Sequence, residues 1–342
     1  MSFDPQNILV IDFGQMGDVV LSLPALAALR RRFPRARLTV AVGKPGRQIV
    51  ELSGAADEVL VVDRVALRDG FAPLSIARVV GVVQEVRRRR FDFVIDLHSL
   101  SETNLLGFLS GAPRRLYSRR PGRSLDFLAN FRPAPPAEDL SKHAVERYLN
   151  VLAPLKVGEV SRVPRLPLRD DAERAVDQLF RKAKVGTAGP LVGVFPGAGH
   201  PSRRWPLERF AEVAKRLADA DGLHTALFIG PEEHPQAKQI RAAFPARTTA
   251  VIERLDIPQL ASALARISVL VSNDTGPVHI AAAVGTPTVV LVGRDGPNGY
   301  EPVGRGHRSI FRAPIESITA AEVYEAARSA LVSERTASLF AS

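Results

Sequence analysis

Short apolar runs alternate with amphipathic helical patterns along almost the whole chain, and this alternation is what most constrains its fold. The apolar runs predict ten strands, at residues 7–11, 37–42, 58–62, 92–96, 114–117, 191–195, 225–229, 249–252, 267–271 and 288–292. Helical patterns lie beside them at residues 18–32, 74–89, 102–109, 141–152, 170–183, 207–220, 235–244, 257–265 and 320–331. Strands that alternate with helices predict parallel, doubly wound sheets.

The alternation is interrupted near the middle of the chain. A proline- and arginine-rich stretch at residues 118–138 predicts a surface loop, and further prolines follow at positions 154, 164 and 167. A chain of 342 residues is longer than one typical domain. We therefore predict an α/β protein of two Rossmann-like domains facing across a cleft, residues 1–165 and 166–342. The pattern leaves open whether the last helix, about 320–332, packs on the second domain or back on the first.

The charge balance indicates an acidic partner. The formal net charge is +10, with 46 Lys plus Arg against 36 Asp plus Glu, which suits a phosphorylated substrate or an anionic membrane surface. Aromatic residues are sparse and do not interleave with basic ones, so nucleic acid is not an expected partner. The chain has no cysteine, its N-terminus is polar, and no apolar run of about 18 residues occurs. We expect a cytoplasmic protein that is at most peripheral on a membrane.

The polar run Ser-Asn-Asp-Thr-Gly-Pro-Val-His follows a predicted strand and opens an apolar helix pattern. A strand, a tight turn and a helix N-terminus together direct backbone N–H groups and a positive dipole end at one point, which is an anion site. Asp274 or Thr275 can cap the helix, Gly276 allows close approach of a ligand, and Pro277 suits the first turn. His279 lies about one turn from Thr275 on nearly the same face.

Two other strand ends in the second half carry candidate binding residues. Gly197 lies in a glycine-rich loop that continues to two arginines and the only tryptophan. The first of the arginines, Arg203, offers forked donors for phosphate oxygens, whereas Trp205 suits core packing. Glu232 and Glu233 follow the next strand, where carboxylates can accept hydrogen bonds from sugar hydroxyls.

The first strand of the chain is followed by a turn with two glycines. Their G-x-x-G spacing lacks the third glycine of the dinucleotide-binding fingerprint. Gly17 allows a ligand to approach the backbone, and Asp18 stands at the start of the helix. Asp18 is placed to accept a proton or to cap the helix, and the two roles are compatible.

Further polar residues of the first half are candidates for contact with a substrate. His98 follows a predicted strand, so it either lines the site or makes a structural polar contact. Arg119, Arg120 and Arg123 begin the long loop and are candidates for binding an acidic partner. The chain has no phosphate loop, no zinc-binding H-E-x-x-H and no nucleophile elbow, and its only D-x-D pair ends a predicted helix. No metal site is expected.

In three motifs, and over nearly its whole length, the chain resembles the ADP-heptose:lipopolysaccharide heptosyltransferases, family nine of the glycosyltransferases. The motifs are Gly17-Asp18, Arg203-x-Trp205-Pro206 and Asn273-Asp274-Thr275-Gly276-Pro277-x-His279. The resemblance implies the two-domain GT-B architecture, with the acceptor bound mainly by the first domain and the nucleotide-sugar by the second. It implies inverting transfer of heptose from ADP-heptose to an anionic lipid-linked acceptor, the lipopolysaccharide inner core, without metal or other cofactor.

The resemblance also assigns roles to particular residues. It makes Asp18 the catalytic base and Arg203 the phosphate-binding cation, and it gives Asp274, Thr275, Gly276 and His279 to the donor site. Peripheral contact with the inner membrane surface would follow from a lipid-linked acceptor.

One residue departs from the family pattern. Members usually carry Arg or Lys at the end of the first strand, where this chain has Asp12. A carboxylate there changes the local charge, which leaves open another nucleotide-sugar or acceptor. Two further alternatives are a nucleotide-sugar 2-epimerase of the same architecture and a catalytically silent nucleotide-sugar-binding protein.

Overall fold

The chain consists of two compact units, divided after Pro164. The computed structural model describes residues 3–62, 73–120, 122, 124–183 and 189–339. Each unit is built on one parallel sheet with helices. The alternation of strands and helices predicted from the sequence is therefore present in both halves.

The first unit contains a five-stranded parallel sheet. Its strands are β1 (Asn7–Asp12), β2 (Arg37–Val42), β3 (Glu58–Val61), β4 (Phe93–Asp96) and β5 (Arg114–Tyr117). Its helices are α1 (Met16–Arg32), α2 (Arg47–Ser53), α3 (Pro73–Arg88), α4 (Ser101–Leu109) and α5 (Ala144–Val151). The strand order is β3-β2-β1-β4-β5. The chain reverses its progression across the sheet between β1 and β4, and ligands of open α/β sheets bind beyond the strand ends at such a switch point.

The second unit contains a six-stranded parallel sheet. Its strands are β6 (Leu191–Phe195), β7 (His224–Ile229), β8 (Thr249–Glu253), β9 (Val269–Asn273), β10 (Thr288–Val292) and β11 (Arg308–Phe311). Its helices are α6 (Asp170–Lys182), α7 (Leu207–Asp221), α8 (Ala237–Ala243), α9 (Ile257–Leu264), α10 (Gly276–Ala283) and α11 (Ala320–Leu339). The order β11-β10-β9-β6-β7-β8 puts the switch point between β6 and β9.

The structure differs from the sequence expectations in a few elements. Strand β9 ends two residues later than predicted, because Ser272 and Asn273 are polar yet fully buried and paired in the sheet. Edge strand β11 and the short helix α2 were not predicted. The last helix, α11, packs in the second unit, where Val323 and Tyr324 share a core with β9 and β10.

The strands supply most of the buried apolar surface of each unit. Both faces of a parallel sheet are covered by helices, so its strands are apolar along most of their length. Asp12, Asp96 and Asn273 are fully buried polar side chains at the ends of central strands. No helix in the part of the chain that the structure describes is both long enough and apolar enough to cross a bilayer.

Candidate active site

In the turn after β1, the side chains of Asp12 and Asp18 both lie close to Gly14. A Cβ atom added to Gly14 would lie 2.4 Å from the Cβ of Asp18 and 3.1 Å from Oδ1 of Asp12. Only glycine leaves room for this close approach. Asp18 lies in the first turn of α1, where its Oδ2 accepts a hydrogen bond of 2.8 Å from the N–H of Gln15. Asp18 therefore caps the helix, as one sequence interpretation had it, and its side chain stays half-buried.

Asp12 is fully buried, and its carboxylate has three polar neighbours. The Ser22 hydroxyl donates to Oδ2 at 2.6 Å, and the Gly14 N–H donates to Oδ1 at 3.2 Å. Nδ1 of His98 lies 3.5 Å from Oδ1. Burial raises the pKa of Asp12, but these hydrogen bonds and the charge of His98 outweigh burial and hold that pKa below its usual value. Asp12 is therefore an ionised internal group that contacts no solvent.

His98 is positioned by the turn after β4. Oδ1 of Asp96, also fully buried, accepts the N–H groups of His98 and Ser99 at 3.0 and 2.7 Å. Ser99 adopts a left-handed φ of 48°, and its hydroxyl donates to the Ser118 carbonyl at 2.6 Å. Arg120 Nη1 donates to the His98 carbonyl at 2.9 Å. The imidazole is thereby fixed beside Asp12 at the switch point of the first sheet.

The electrostatics of this cluster favour a proton acceptor at Asp18. Burial raises the pKa of Asp18, and the charge of Asp12 adds to this rise. The charges of His98 and Arg147 and the bond from Gln15 oppose it. A carboxylate with a raised pKa is a stronger base than an ordinary aspartate while it remains ionised.

The residues predicted to bind an acceptor do not all converge. Gly17 is adjacent to Asp18, and Arg120 contacts His98, so these three predicted residues lie around Asp18. Arg119 is exposed and lines a separate cavity of about 400 Å³ with aromatic residues of the long loop. Arg123 lies outside the described residues.

Sequence reasoning missed the residues that support this cluster. Asp96 was not singled out, although an aspartate at a strand end before a helix is a detectable signal. Glu138 accepts a 2.6 Å hydrogen bond from Nε of Arg120, and its other oxygen lies 3.5 Å from Nη1 of the buried Arg147. Glu138 and Arg147 meet only through the folded path of the long loop and α5, so no local pattern pointed to their pairing.

In the second unit, Asn273 joins two of the predicted motifs. Its Nδ2 donates to the Pro196 carbonyl at 2.7 Å, and its Oδ1 accepts the Trp205 N–H at 3.0 Å. The side chain thus links the end of β9 to both ends of the glycine-rich loop after β6. Because these strands are neighbours at the switch point, one buried amide holds two turns of the site together.

The two arginines of the glycine-rich loop have different surroundings. Nε of Arg204 donates to the Ala198 carbonyl at 3.0 Å, so this residue braces the loop. Arg203 is exposed at the end of a short 3-10 helix. Trp205 is a core residue, as its sequence context suggested: its ring meets Phe210 edge to face, and Nε1 donates to the Ile318 carbonyl at 3.0 Å.

The turn between β9 and α10 joins the end of a buried strand directly to a helix N-terminus. Thr275 is the N-cap residue of α10, but its side chain makes no capping hydrogen bond, contrary to the expected cap. Pro277 and His279 are buried within the helix. Burial raises the pKa of Asp274, whereas the charge of Arg203 lowers it. Asp274 and Arg203 therefore lie near each other across the two loops.

Two charged residues of the loop after β10 belong to the same region and were missed. Arg294 and Glu301 both act on the ionisation of Asp274. A Cβ added at Gly293 would lie 3.2 Å from the Ser202 carbonyl oxygen, which places the start of this loop against the segment that carries Arg203. Both residues follow the carboxyl end of a predicted strand, and that position was the signal available in the sequence.

The two glutamates predicted to bind the donor after β7 differ in burial. Glu233 is buried, and a Cβ on Gly197 would lie 2.3 Å from its carboxyl carbon. Burial and the charge of Glu232 raise the pKa of Glu233. Glu232 is exposed, and its Oε2 lies 3.8 Å from the Cβ position of Gly199. Gly197 is therefore needed for the loop to lie on Glu233, and Glu232 stands at the loop's outer side.

These features define the class of protein. Two α/β units, each with polar residues at the switch point of a parallel sheet, are typical of GT-B glycosyltransferases. The family model for glycosyltransferase family 9 (heptosyltransferase) matches residues 79–322. The chain belongs to this family and is a glycosyltransferase.

Known proteins agree with this assignment. Lipopolysaccharide heptosyltransferase 2 of Escherichia coli K12 is 26% identical over 317 residues, which cover 89% of this chain and 87% of the relative. The family 9 glycosyltransferase structure from Veillonella parvula superposes with a TM-score of 0.84 at 25% identity, covering 97% and 99% of the two chains. The structure of E. coli heptosyltransferase WaaC with ADP-2-deoxy-2-fluoro heptose has a TM-score of 0.73 at 23% identity, covering 95% and 99%. The predicted GT-B fold is confirmed.

The role of Asn273 leads to a first prediction. Asn273→Ala leaves the Pro196 carbonyl and the Trp205 N–H buried without their partner, so we expect the free energy of unfolding of the second unit to fall by about 1–3 kcal/mol. Trp205 is the only tryptophan, and its fluorescence during denaturation reports this loop directly. Gln178→Ala on the exposed surface of α6 is the control and should stay within about 0.5 kcal/mol. A transition unchanged by Asn273→Ala would contradict the proposed link.

Proposed function

We propose that this chain transfers a heptose from ADP-heptose to an acceptor hydroxyl of the lipopolysaccharide inner core, with inversion and without a metal, and that Asp18 is the general base. The observation that carries the proposal is the placement of the Asp18 carboxylate. It is half-buried and lies in the first turn of α1 beyond the switch point of the first sheet, and the charges of His98 and the buried Arg147 act on its ionisation. Family membership supplies the reaction class.

The chemistry assigned to Asp18 is a single displacement. The acceptor hydroxyl gives its proton to Asp18, its oxygen attacks the anomeric carbon, and the bond from that carbon to the diphosphate oxygen breaks. ADP leaves with the electron pair. Attack from the face opposite the leaving group inverts the anomeric centre. Burial of Asp18 favours proton uptake, while the charge of His98 keeps the carboxylate ionised before the reaction.

Residues of the second unit support a metal-free donor site. The uncapped N-terminus of α10 at Thr275 and Gly276 offers N–H donors and a positive dipole end to the departing diphosphate. Arg203 adds a cation, and His279 follows within the same helix. We assign the sugar or ribose hydroxyls to Glu232 and Glu233 beside Gly197. ADP-heptose is proposed as donor because related WaaC was solved with a fluorinated ADP-heptose.

The first unit supports an anionic acceptor. His98 and Arg120 lie beside Asp18 and are assigned to the acceptor site together with Gly17. The sequence raised a different acceptor because of Asp12. That carboxylate is fully buried and bound by Ser22, Gly14 and His98, so it does not present its charge to a substrate. For this reason we retain the lipopolysaccharide acceptor.

The first unit also has a surface suited to an anionic membrane. Phe108 on α4 is 44% exposed with the Arg115 guanidinium 5.2 Å from its ring centre, and Phe127 is 76% exposed. Arg132, on the loop that carries Phe127, and Arg114, next to Arg115 on β5, are also exposed. Apolar side chains with basic neighbours bind the headgroup region of anionic bilayers. We propose that this surface, Phe108 and Phe127 with their arginines, rests on the inner leaflet at the cytoplasmic side.

Replacing the base tests the catalytic assignment. Asp18→Asn removes the proton acceptor but keeps an oxygen for the Gln15 N–H, so we expect transfer to fall by about 10² or more with ADP binding retained. ADP release and calorimetric ADP binding are the measurements. Asp171→Asn, at an exposed site on α6, is the control. Because the pKa of Asp18 is raised, wild-type activity should be lost on acidification at a higher pH than for an ordinary aspartate. Unchanged transfer by Asp18→Asn would exclude the base role.

The donor assignment predicts nucleotide selectivity. Thermal unfolding should shift more with ADP than with UDP or GDP, since a ligand at 100 times its dissociation constant stabilises by ~2.7 kcal/mol. Arg203→Ala should weaken ADP binding by roughly tenfold or more, because a charge-assisted hydrogen bond is lost. Arg181→Ala, which removes the same charge at an exposed site on α6, should not. Stronger stabilisation by UDP or GDP would overturn the ADP assignment.

The membrane surface is tested with vesicles. We expect the chain to sediment with phosphatidylglycerol vesicles and not with phosphatidylcholine vesicles. Phe127→Ser should weaken this binding roughly tenfold, since full burial of a phenylalanine is worth ~1.5–3 kcal/mol. Val332→Ser, at an apolar residue of the second unit that is 63% exposed, is the matched control. Equal loss in both variants would contradict the location of the surface.

A further inference from the structure

Three carboxylates and one imidazole meet at the switch point of the first sheet. Asp12 ends β1, Asp96 ends β4, and Asp18 begins α1. Asp12 and Asp96 are both fully buried, so neither can touch a substrate. Asp96 has a structural role in the turn after β4. Besides the two backbone N–H groups of that turn, it accepts a 2.8 Å hydrogen bond from Nδ2 of Asn104. Asp12 has a different position, because its carboxylate lies between Gly14 at the base of the Asp18 turn and the ring of His98.

The His98 ring has one buried edge and one accessible edge. Its Nδ1 is buried and lies 3.5 Å from Oδ1 of Asp12, while the side chain as a whole keeps 18% of its exposure. The exposed part of the ring is therefore on the side away from Asp12. The ring of Tyr148 stacks on the imidazole with centroids 6.3 Å apart and planes at 28°. Arg120 holds the backbone through the His98 carbonyl.

The surrounding charges favour the imidazolium form of His98. Burial lowers the pKa of His98, but the contact with Asp12 and the charges of Asp18 and Asp96 outweigh it and raise that pKa above its usual value. The cations that face the cluster are Arg147 on α5 and Arg120 after β5. The ring therefore carries a positive charge close to the turn that holds Asp18.

We propose that Asp12 is a positioning residue that holds His98 by Nδ1 as an imidazolium, so that the accessible edge of the ring offers a positive charge to the anionic acceptor. The inference rests on the proposed function for the anionic acceptor. The Asp12–His98 pair itself stands on the geometry of the turn and can be tested without any substrate.

The direct test is a titration of the His98 ring by NMR. His98→Gln identifies the ring resonances among the seven histidines of the chain. In Asp12→Asn the amide is neutral, so the His98 pKa should fall relative to wild type. Ser22→Ala removes the short hydrogen bond of Asp12 without changing its charge, and it should leave the His98 pKa raised. A His98 titration that is the same in Asp12→Asn and wild type would overturn the pair.

The second test is the pH profile of transfer, measured as ADP release. In wild type, kcat/KM should fall at alkaline pH, because a neutral His98 ring no longer attracts the anionic acceptor. In Asp12→Asn that fall should occur at lower pH, so that the deficit grows as the pH rises and reaches at least about tenfold. A purely structural role of Asp12 predicts a deficit that is equal at every pH and is shared by Ser22→Ala, and this result would refute the positioning role. If wild type releases no ADP from any donor, the proposed function fails. The NMR titration then still tests whether Asp12 holds His98 as an imidazolium.

Discussion

The close packing of both sheet faces is the constraint from which the rest of the structure follows. A parallel sheet covered by helices disfavours charged side chains in the middle of its central strands, whereas the strand ends can carry them. The strands run in one direction, which gathers their carboxyl ends at one edge. In this chain Asp12 and Asp96 end two neighbouring strands of the first sheet, and Asn273 ends a central strand of the second. Each of them is buried and orders the turn that follows it.

The polar groups gathered at these turns differ between the two units. The first gathers carboxylates around one imidazole, a composition suited to accepting a proton. The second combines an uncapped helix N-terminus with Arg203 and Arg294, a composition suited to receiving a negative leaving group. Such a division fits a displacement in which one substrate loses a proton and the other departs as a diphosphate.

Much of the fold was predictable because alternating apolar runs and helical patterns carry most of the information. The motifs around Asp18, Arg203 and Asp274 were also recognisable, since each follows a strand with glycine close by. The sequence could not show that Asp12 is internal, because a carboxylate at a strand end has no local sign of its partners Ser22 and His98, which are 10 and 86 positions away. The end of β9 was also not predictable from the sequence, because Ser272 and Asn273 are polar residues within a strand. Long-range pairing, as between Glu138 and Arg147, depends on loop paths that periodicity does not encode.

The function proposed for this chain is tested most directly by measuring transfer of the sugar itself. The measurement is the mass of heptose-free lipopolysaccharide after incubation with the purified chain and ADP-heptose in the presence of EDTA. We predict that the acceptor gains the mass of one heptose residue and that an equal amount of ADP is released. An acceptor of unchanged mass, or a gain that appears only when a divalent metal is restored, would contradict the account.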